Sequence, residues 1–168
     1  MLKSNRILAL VLVLLIALAA TSAVAQTDAQ KAFDAIKTLP GTWEGKSHDG
    51  KPLQVTFKLT ANGSAVMSEI QIPNEDMISM IHLDGPNRLL LTHYCGEGNQ
   101  PRMQASLSPD GKIITFDYVD ATNLSGPDAE RMNHVVFTII DDNHHTEEWT
   151  AVGHGKEMKE VFDLRRKM

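Results

Sequence analysis

His93 and Cys95 are two residues apart, so on an extended strand both side chains point the same way. An imidazole and a thiol on one face, joined by His134 from another strand, would make a soft or borderline ligand set that suits zinc or copper. Without that third donor the pair reads as a hydrogen-bonded wall histidine beside a small buried hydrophobe. Nothing in the sequence brings residue 134 to residue 93, so no metal site is assigned, and His93, Cys95 and His134 stand as the alternative. His144-His145 with Glu147 and Glu148 also has metal-like composition. Adjacent strand residues face opposite sides, however, and this segment reads as a solvated turn and edge. Arg102, in the polar stretch 96–102, could anchor an anionic group, although Asn99 and Gln100 suffice to make that stretch an ordinary hairpin loop. There is no G-x-S-x-G, H-E-x-x-H or P-loop, and few acids fall on inward faces, so no catalytic residue is assigned.

The elements that must carry these residues are short strands. One helix is expected over 26–38, capped by Thr27 or Asp28, with Ala29, Ala32, Phe33 and Ile36 as its apolar stripe and Pro40-Gly41 as its stop. From there the hydrophobic period is two. Leu53 to Thr60 alternates without a fault, and Asn62-Gly63 follows as a hairpin signal. Ten runs separated by turns are expected near 42–48, 53–60, 64–72, 76–84, 87–95, 101–108, 111–119, 130–141, 144–152 and 156–164. Only residues 120–129 form a long connection, able to lid one mouth or simply to pass over it. Hairpin connections throughout favour an all-β, up-and-down antiparallel barrel of about ten strands with one short N-terminal helix, in which closure removes exposed edges.

Turn lengths then assign faces. A two-residue Asn62-Gly63 loop pairs Phe57 with Ser68 and turns Leu53, Val55, Val66 and Ile70 inward. A Gly85-Pro86 loop sets Met80 opposite Leu91 and Ile78 opposite His93, placing Ile78, Met80 and His82 inside with Leu89, Leu91, His93 and Cys95. Loops at 96–100 and Pro109-Asp110 add Met103, Ala105, Leu107, Ile114, Phe116 and Tyr118. The Asp142-Asn143 turn sends Met132, His134, Val136 and Thr138 inward with Glu147, Trp149, Ala151, Met158, Glu160 and Phe162. The expected ligand-binding residues are therefore Met80, Leu91, His93, Met103, Phe116, Tyr118, His134, Trp149 and Glu160.

Gly41-Thr42-Trp43-Glu44-Gly45, between the helix and the first strand, resembles the G-x-W opening of the calycin superfamily, which comprises lipocalins, fatty-acid-binding proteins and nitrobindin-like haem barrels. The resemblance covers roughly 39–166. It implies that Trp43 closes the barrel floor and that Arg165 or Arg166 packs across it. The second lipocalin signature is absent. Only His48-Asp49-Gly50-Lys51 stands where fatty-acid-binding proteins insert a helical lid. The nitrobindin-like barrels hold haem through a histidine near the C-terminal strands, and here only His154 is that late. His93-Tyr94-Cys95, Gly98-Asn99-Gln100-Pro101-Arg102-Met103 and Glu148-Trp149-Thr150 resemble more closely a group of small exported bacterial proteins of unassigned function.

Composition and compartment agree with a small exported domain. The 168 residues are 42% hydrophobic and 22% charged, with a single cysteine, which leaves no intramolecular disulfide. Residues 1–25 read as a signal peptide: Lys3 and Arg6, an apolar run from Ile7 to Ala20, then Ala23-Val24-Ala25 as a cleavage site. The run is too short for a bilayer span, so no stable membrane anchor is expected. The remaining 26–38 helix and 39–168 barrel would be periplasmic or secreted. Cleavage removes two basic residues and no acid, taking the net charge from −5 to −7, which argues against nucleic acid. The expected function is an interior site for a small hydrophobic molecule, with no cofactor. The alternatives are a haem or metal barrel ligated by His93 or His134, and an isomerase- or cyclase-type enzyme using the same cavity. Oligomeric state is not legible.

Overall fold

A computed structural model describes residues 25–47, 50–73 and 75–168. The expected export segment lies almost wholly outside the described residues, as do His48, Asp49 and Asn74. Helix α1 (Asp28–Ile36) is followed by ten strands: β1 (Gly41–Lys46), β2 (Pro52–Thr60), β3 (Ala65–Ile72), β4 (Glu75–Leu83), β5 (Leu89–Tyr94), β6 (Gln100–Leu107), β7 (Ile113–Thr122), β8 (Arg131–Asp141), β9 (His144–Gly153) and β10 (Lys156–Arg166). Each strand pairs antiparallel with its neighbour in sequence, and β1 pairs with β10, giving a closed up-and-down barrel. Among the described residues no helix is long and apolar enough to cross a membrane.

The two ends of the barrel differ. At one end Thr27 caps α1, its Oγ1 accepting from Gln30 N at 3.2 Å and donating to Pro86 O at 2.6 Å. The helix packs on β4, β5 and β6 and buries Ala32, Phe33 and Ile36 in one core with Leu39 and Trp43. Trp43 is fully buried; its Nε1 donates to Leu39 O at 2.8 Å. The Arg166 guanidinium lies 4.2 Å from the Trp43 ring. It also donates to Pro40 O (2.7 Å), Thr38 O (3.0 Å) and Asp142 O (2.9 Å). Gly41 has φ +127°, and a Cβ there would strike the Arg166 guanidinium, so this position needs glycine twice over. Of the two arginines expected at the floor, Arg166 is there. Arg165 is not: it sits one residue away on the outer face beside Asp163.

The registers explain which side chains the barrel takes in. β2 and β3 pair as their turn predicts, Phe57 opposite Ser68 and Leu59 opposite Val66. β9 and β10 do the same, Trp149 opposite Glu160. The β5–β6 and β6–β7 hairpins each differ from expectation by two residues, which preserves the face. β4 differs by one. Its connection to β5 runs over Asp84–Arg88, closed by Asp84 N donating to Arg88 O, so Ile81 opposes Leu91 and Ser79 opposes His93. Ser79 and Ile81 are therefore interior, and Ile78, Met80 and His82, expected inside, lie on the outer wall. β8 is turned by irregularities at Ile140 and Asn133 that the turn could not reveal. Val135 and Phe137 point in, while His134, Val136 and Thr138, expected inside, point out.

Arg166→Ala is expected to lower the unfolding free energy by about 2 kcal/mol, since it removes charged hydrogen bonds and a cation–π contact. Arg165→Ala should stay within about 0.5 kcal/mol of the parent. Urea unfolding of both variants checks the pair.

Candidate functional site

Opposite the Trp43 floor the barrel is open. A cavity of about 400 Å³ enters between the strand ends and is lined by residues of β3, β4, β5, β8, β9 and β10 together with the turns above them. Its walls are Ile70, Ile72, Met77, Met132, Ala151 and Met158, with Trp149 and Phe162. This is the size and character of an ordinary small-molecule pocket. Each wall residue arrives by strand alternation: Met77 two residues before Ser79, Met132 opposite Ala151, and Met158 across from that same alanine.

His93 lies at the inner end. It is fully buried, and Ser79 Oγ is 2.9 Å from its Nδ1. Its Nε2 has no hydrogen-bond partner within the protein, and the residue lines the cavity. The ring is 5.0 Å from the Trp149 ring. Burial pushes the His93 pKa down from its ordinary 6.5 to about 4, because the apolar surroundings penalise imidazolium. At neutral pH this imidazole is uncharged and can exchange one hydrogen bond with a guest.

Below the cavity lies a second polar cluster. His145 and Glu147 are both fully buried. His145 Nε2 lies 3.1 Å from Glu147 Oε1, and Trp149 Nε1 donates to Glu147 Oε2 at 2.8 Å. His145 packs edge-on against Trp43 at 4.2 Å. The expected solvated edge at 144–148 is corrected here. His144, beside Asp163, and Glu148, paired with Lys159, take the outer side, while β9 alternation carries His145, Glu147 and Trp149 into the interior.

Of the residues expected to bind ligand, His93, Trp149 and Glu160 border the cavity, as does Cys95. Leu91, Met103 and Phe116 are fully buried and fill the barrel away from the cavity. Tyr118 is half-buried under the Arg131 guanidinium, 4.8 Å from its ring centre. Met80 is on the outer wall. So is His134, whose Nδ1 is 2.8 Å from Asp117 Oδ1, so the His93–Cys95–His134 set does not assemble. Among the described residues no three His, Cys, Asp or Glu side chains group to hold a metal ion. Arg102 is held by both carboxylate oxygens of Asp120 and does not border the cavity.

Sequence reasoning missed Met77, Ser79, Glu75, Glu97, Glu130 and His145. β4 is apolar on both faces, so its pattern could not expose the one-residue error in its turn. Glu97 and Glu130 sit in connections, where face assignment does not apply. Three bonds pin the 123–130 connection to the rim: Asn123 Nδ2 to Gly98 O (2.6 Å), Asn99 Nδ2 to Glu130 O (2.8 Å) and His154 N to Asp128 O (3.0 Å).

No family model and no curated protein matches the chain. Several solved structures share its barrel, two of them as follows. Rv2717c from M. tuberculosis superposes with a TM-score of 0.58 at 15% identity, over 82% of this chain and 98% of that one. A protein of unknown function from the DUF3598 family of Nostoc punctiforme gives 0.54 at 11% identity, over 79% of this chain and 49% of that one. This chain thus spans about half the length of the second relative. At such identities the likeness establishes the fold alone.

The depressed His93 pKa couples stability to pH. Between about 4 and 6.5 the unfolded chain binds a proton that the folded protein refuses, so acidification through this window destabilises the fold. The expected loss from pH 7 to pH 4 attributable to this group is about 3 kcal/mol. His93→Gln, which keeps an acceptor for Ser79 but cannot titrate there, should flatten that part of the slope, as read from urea unfolding across pH.

Proposed function

We propose that this protein binds one small hydrophobic or amphipathic molecule inside its barrel, as an exported carrier or sensor. The observation that carries the reading is the pairing of a blind, apolar cavity with a buried imidazole whose Nε2 is unmatched. A buried polar atom without a partner costs free energy, and a guest that meets it restores the loss. Contact with the apolar walls supplies most of the affinity, at about 25 cal/mol per Å² of apolar surface removed from water. Met77, Met132 and Met158 adapt to guests of differing outline. The Gly41–Trp43 opening and the Trp43–Arg166 floor support placing the chain among calycin-type barrels. The character of residues 1–25 supports export.

A neutral naphthylamine fluorophore should give a saturable emission increase with a micromolar Kd. Ala151→Phe, which sets a ring into the cavity, should weaken that binding by about tenfold or more, since the ring occupies the guest's volume. No saturable response, or unaltered affinity in the variant, would remove the proposal.

One observation favours a second reading. His93 lines the cavity as an uncharged imidazole with one nitrogen unmatched, the kind of donor that can hold a haem iron. His93 would hold the iron, the methionine-lined walls would cover the ring, and the haem would supply redox or gas-binding chemistry. Protein purified after haem supplementation should then show a Soret band that His93→Ala abolishes. A band that survives the substitution rejects His93 as the ligand, and no band rejects the reading.

A further inference from the structure

The apolar walls do not say what kind of polar end the guest carries, but the rim does. Among the described cavity-lining residues, four carboxylates (Glu75, Glu97, Glu130 and Glu160) meet one ammonium, that of Lys51. Three of the four stand at the mouth itself. Glu75 opens β4 on the same face as Met77 and Ser79, and Ser79 lies opposite His93. Ser79 is four residues further along β4 than Glu75, about 13 Å along the strand. The Glu75 carboxylate rests against Gly96, where a Cβ would meet Oε1. Glu97 belongs to the neighbouring turn. Glu130 closes the connection that Asn99 ties down through its carbonyl.

These charges act on a common point. Burial is the first cause that raises the Cys95 thiol pKa, and Glu97, Glu75 and Glu130 all add to it through their negative charge, against a backbone hydrogen bond that lowers it. Lys51 lines the cavity with these glutamates, while other basic groups nearby have partners outside its lining. Arg102 is paired with Asp120 on the outer wall, Lys159 with Glu148, and Arg131 covers Tyr118. The rim thus repels anions at the mouth of a cavity whose inner end offers an unmatched, fully buried His93 Nε2.

We infer that the guest is an amphipathic cation, with an apolar body seated between Trp149 and the methionine walls and an ammonium or guanidinium group held among Glu75, Glu97 and Glu130. This rests on the cavity reading above and adds the sign of the guest's charge. A carboxylate of the same length would bring a negative group into a negative field and lose its hydration there. The cation instead gains attraction in a region less screened than bulk water. A hydroxyl or ring N–H part-way along the body would meet His93.

Three twelve-carbon probes differing only in head group separate the possibilities: dodecyltrimethylammonium, dodecanol and dodecanoate. Each is titrated by calorimetry into the full-length protein below its micelle concentration. The ammonium probe should bind about tenfold more tightly than dodecanoate, with dodecanol between them. Replacing Glu75, Glu97 and Glu130 together by Gln should bring the ammonium-to-carboxylate ratio to within about twofold, and raising the salt concentration in the parent should shrink it too. Dodecanoate binding as well as the ammonium, or a ratio unmoved in the triple variant, overturns the charge assignment. If dodecanol binds while the ammonium gains nothing over it, the cation inference falls and the cavity reading stands. If none of the three binds, both fall.

Discussion

The contact between Arg166 and Trp43 joins the last strand to the first across the floor of the barrel. An up-and-down sheet has two free edges until β1 meets β10, and that seam is made by segments more than a hundred residues apart in sequence. Loop closure over such a span is entropically costly, so the seam needs more than four pairs of residues in register. Arg166 supplies it, reading carbonyls from Thr38 and Pro40 before β1 and from Asp142 before β9 while its plane covers the indole. With the floor sealed by α1, Leu39 and Trp43, every guest must use the other end.

From that floor a line of aromatic and imidazole rings rises through the barrel. Trp43 touches His145, His145 and Phe137 flank Phe57, Phe137 reaches Trp149, and Trp149 reaches His93. The rings account for much of the packing in a chain with few aromatics. They also carry the interior polar groups in a definite order. Glu147 is bonded deep inside by His145 and Trp149, and His145 and His93 are each matched on one nitrogen only. The second cluster orients the Trp149 indole, and Trp149 in turn forms part of the cavity wall. Packing, polar satisfaction and the site are thus one continuous arrangement.

The lower half of the interior is closed by large, fully buried side chains: Leu91, Met103, Phe116 and Phe137. The upper half is lined by longer or smaller residues, Met77, Met132, Met158 and Ala151, and opens under an acidic rim. A ten-stranded barrel has the girth to do both. The relatives that share this barrel carry it at 15% and 11% identity, so conclusions about the guest depend on these side chains rather than on the architecture.

Much of this was legible in the order of residues. Asn62-Gly63, Pro109-Asp110 and the turn around His154-Gly155 mark hairpins, and clean alternation in β2 and β10 settles which side chains go in. These signals are local and repeat along the chain, so the strand count, the antiparallel order and His93, Trp149 and Glu160 as cavity residues could be reached from them. The rest turned on events a sequence pattern does not register. A five-residue connection in place of a two-residue one reversed β4, sending Met80 out and bringing Ser79 under His93. Irregularities at Asn133 and Ile140 reversed the middle of β8 and put His134 on the outer wall. A bulge is selected by the curvature that closes a barrel, and curvature belongs to all ten strands together. The acidic rim has the same origin: Glu75, Glu97 and Glu130 are far apart in the chain and unremarked one by one, and only closure sets them around a common opening.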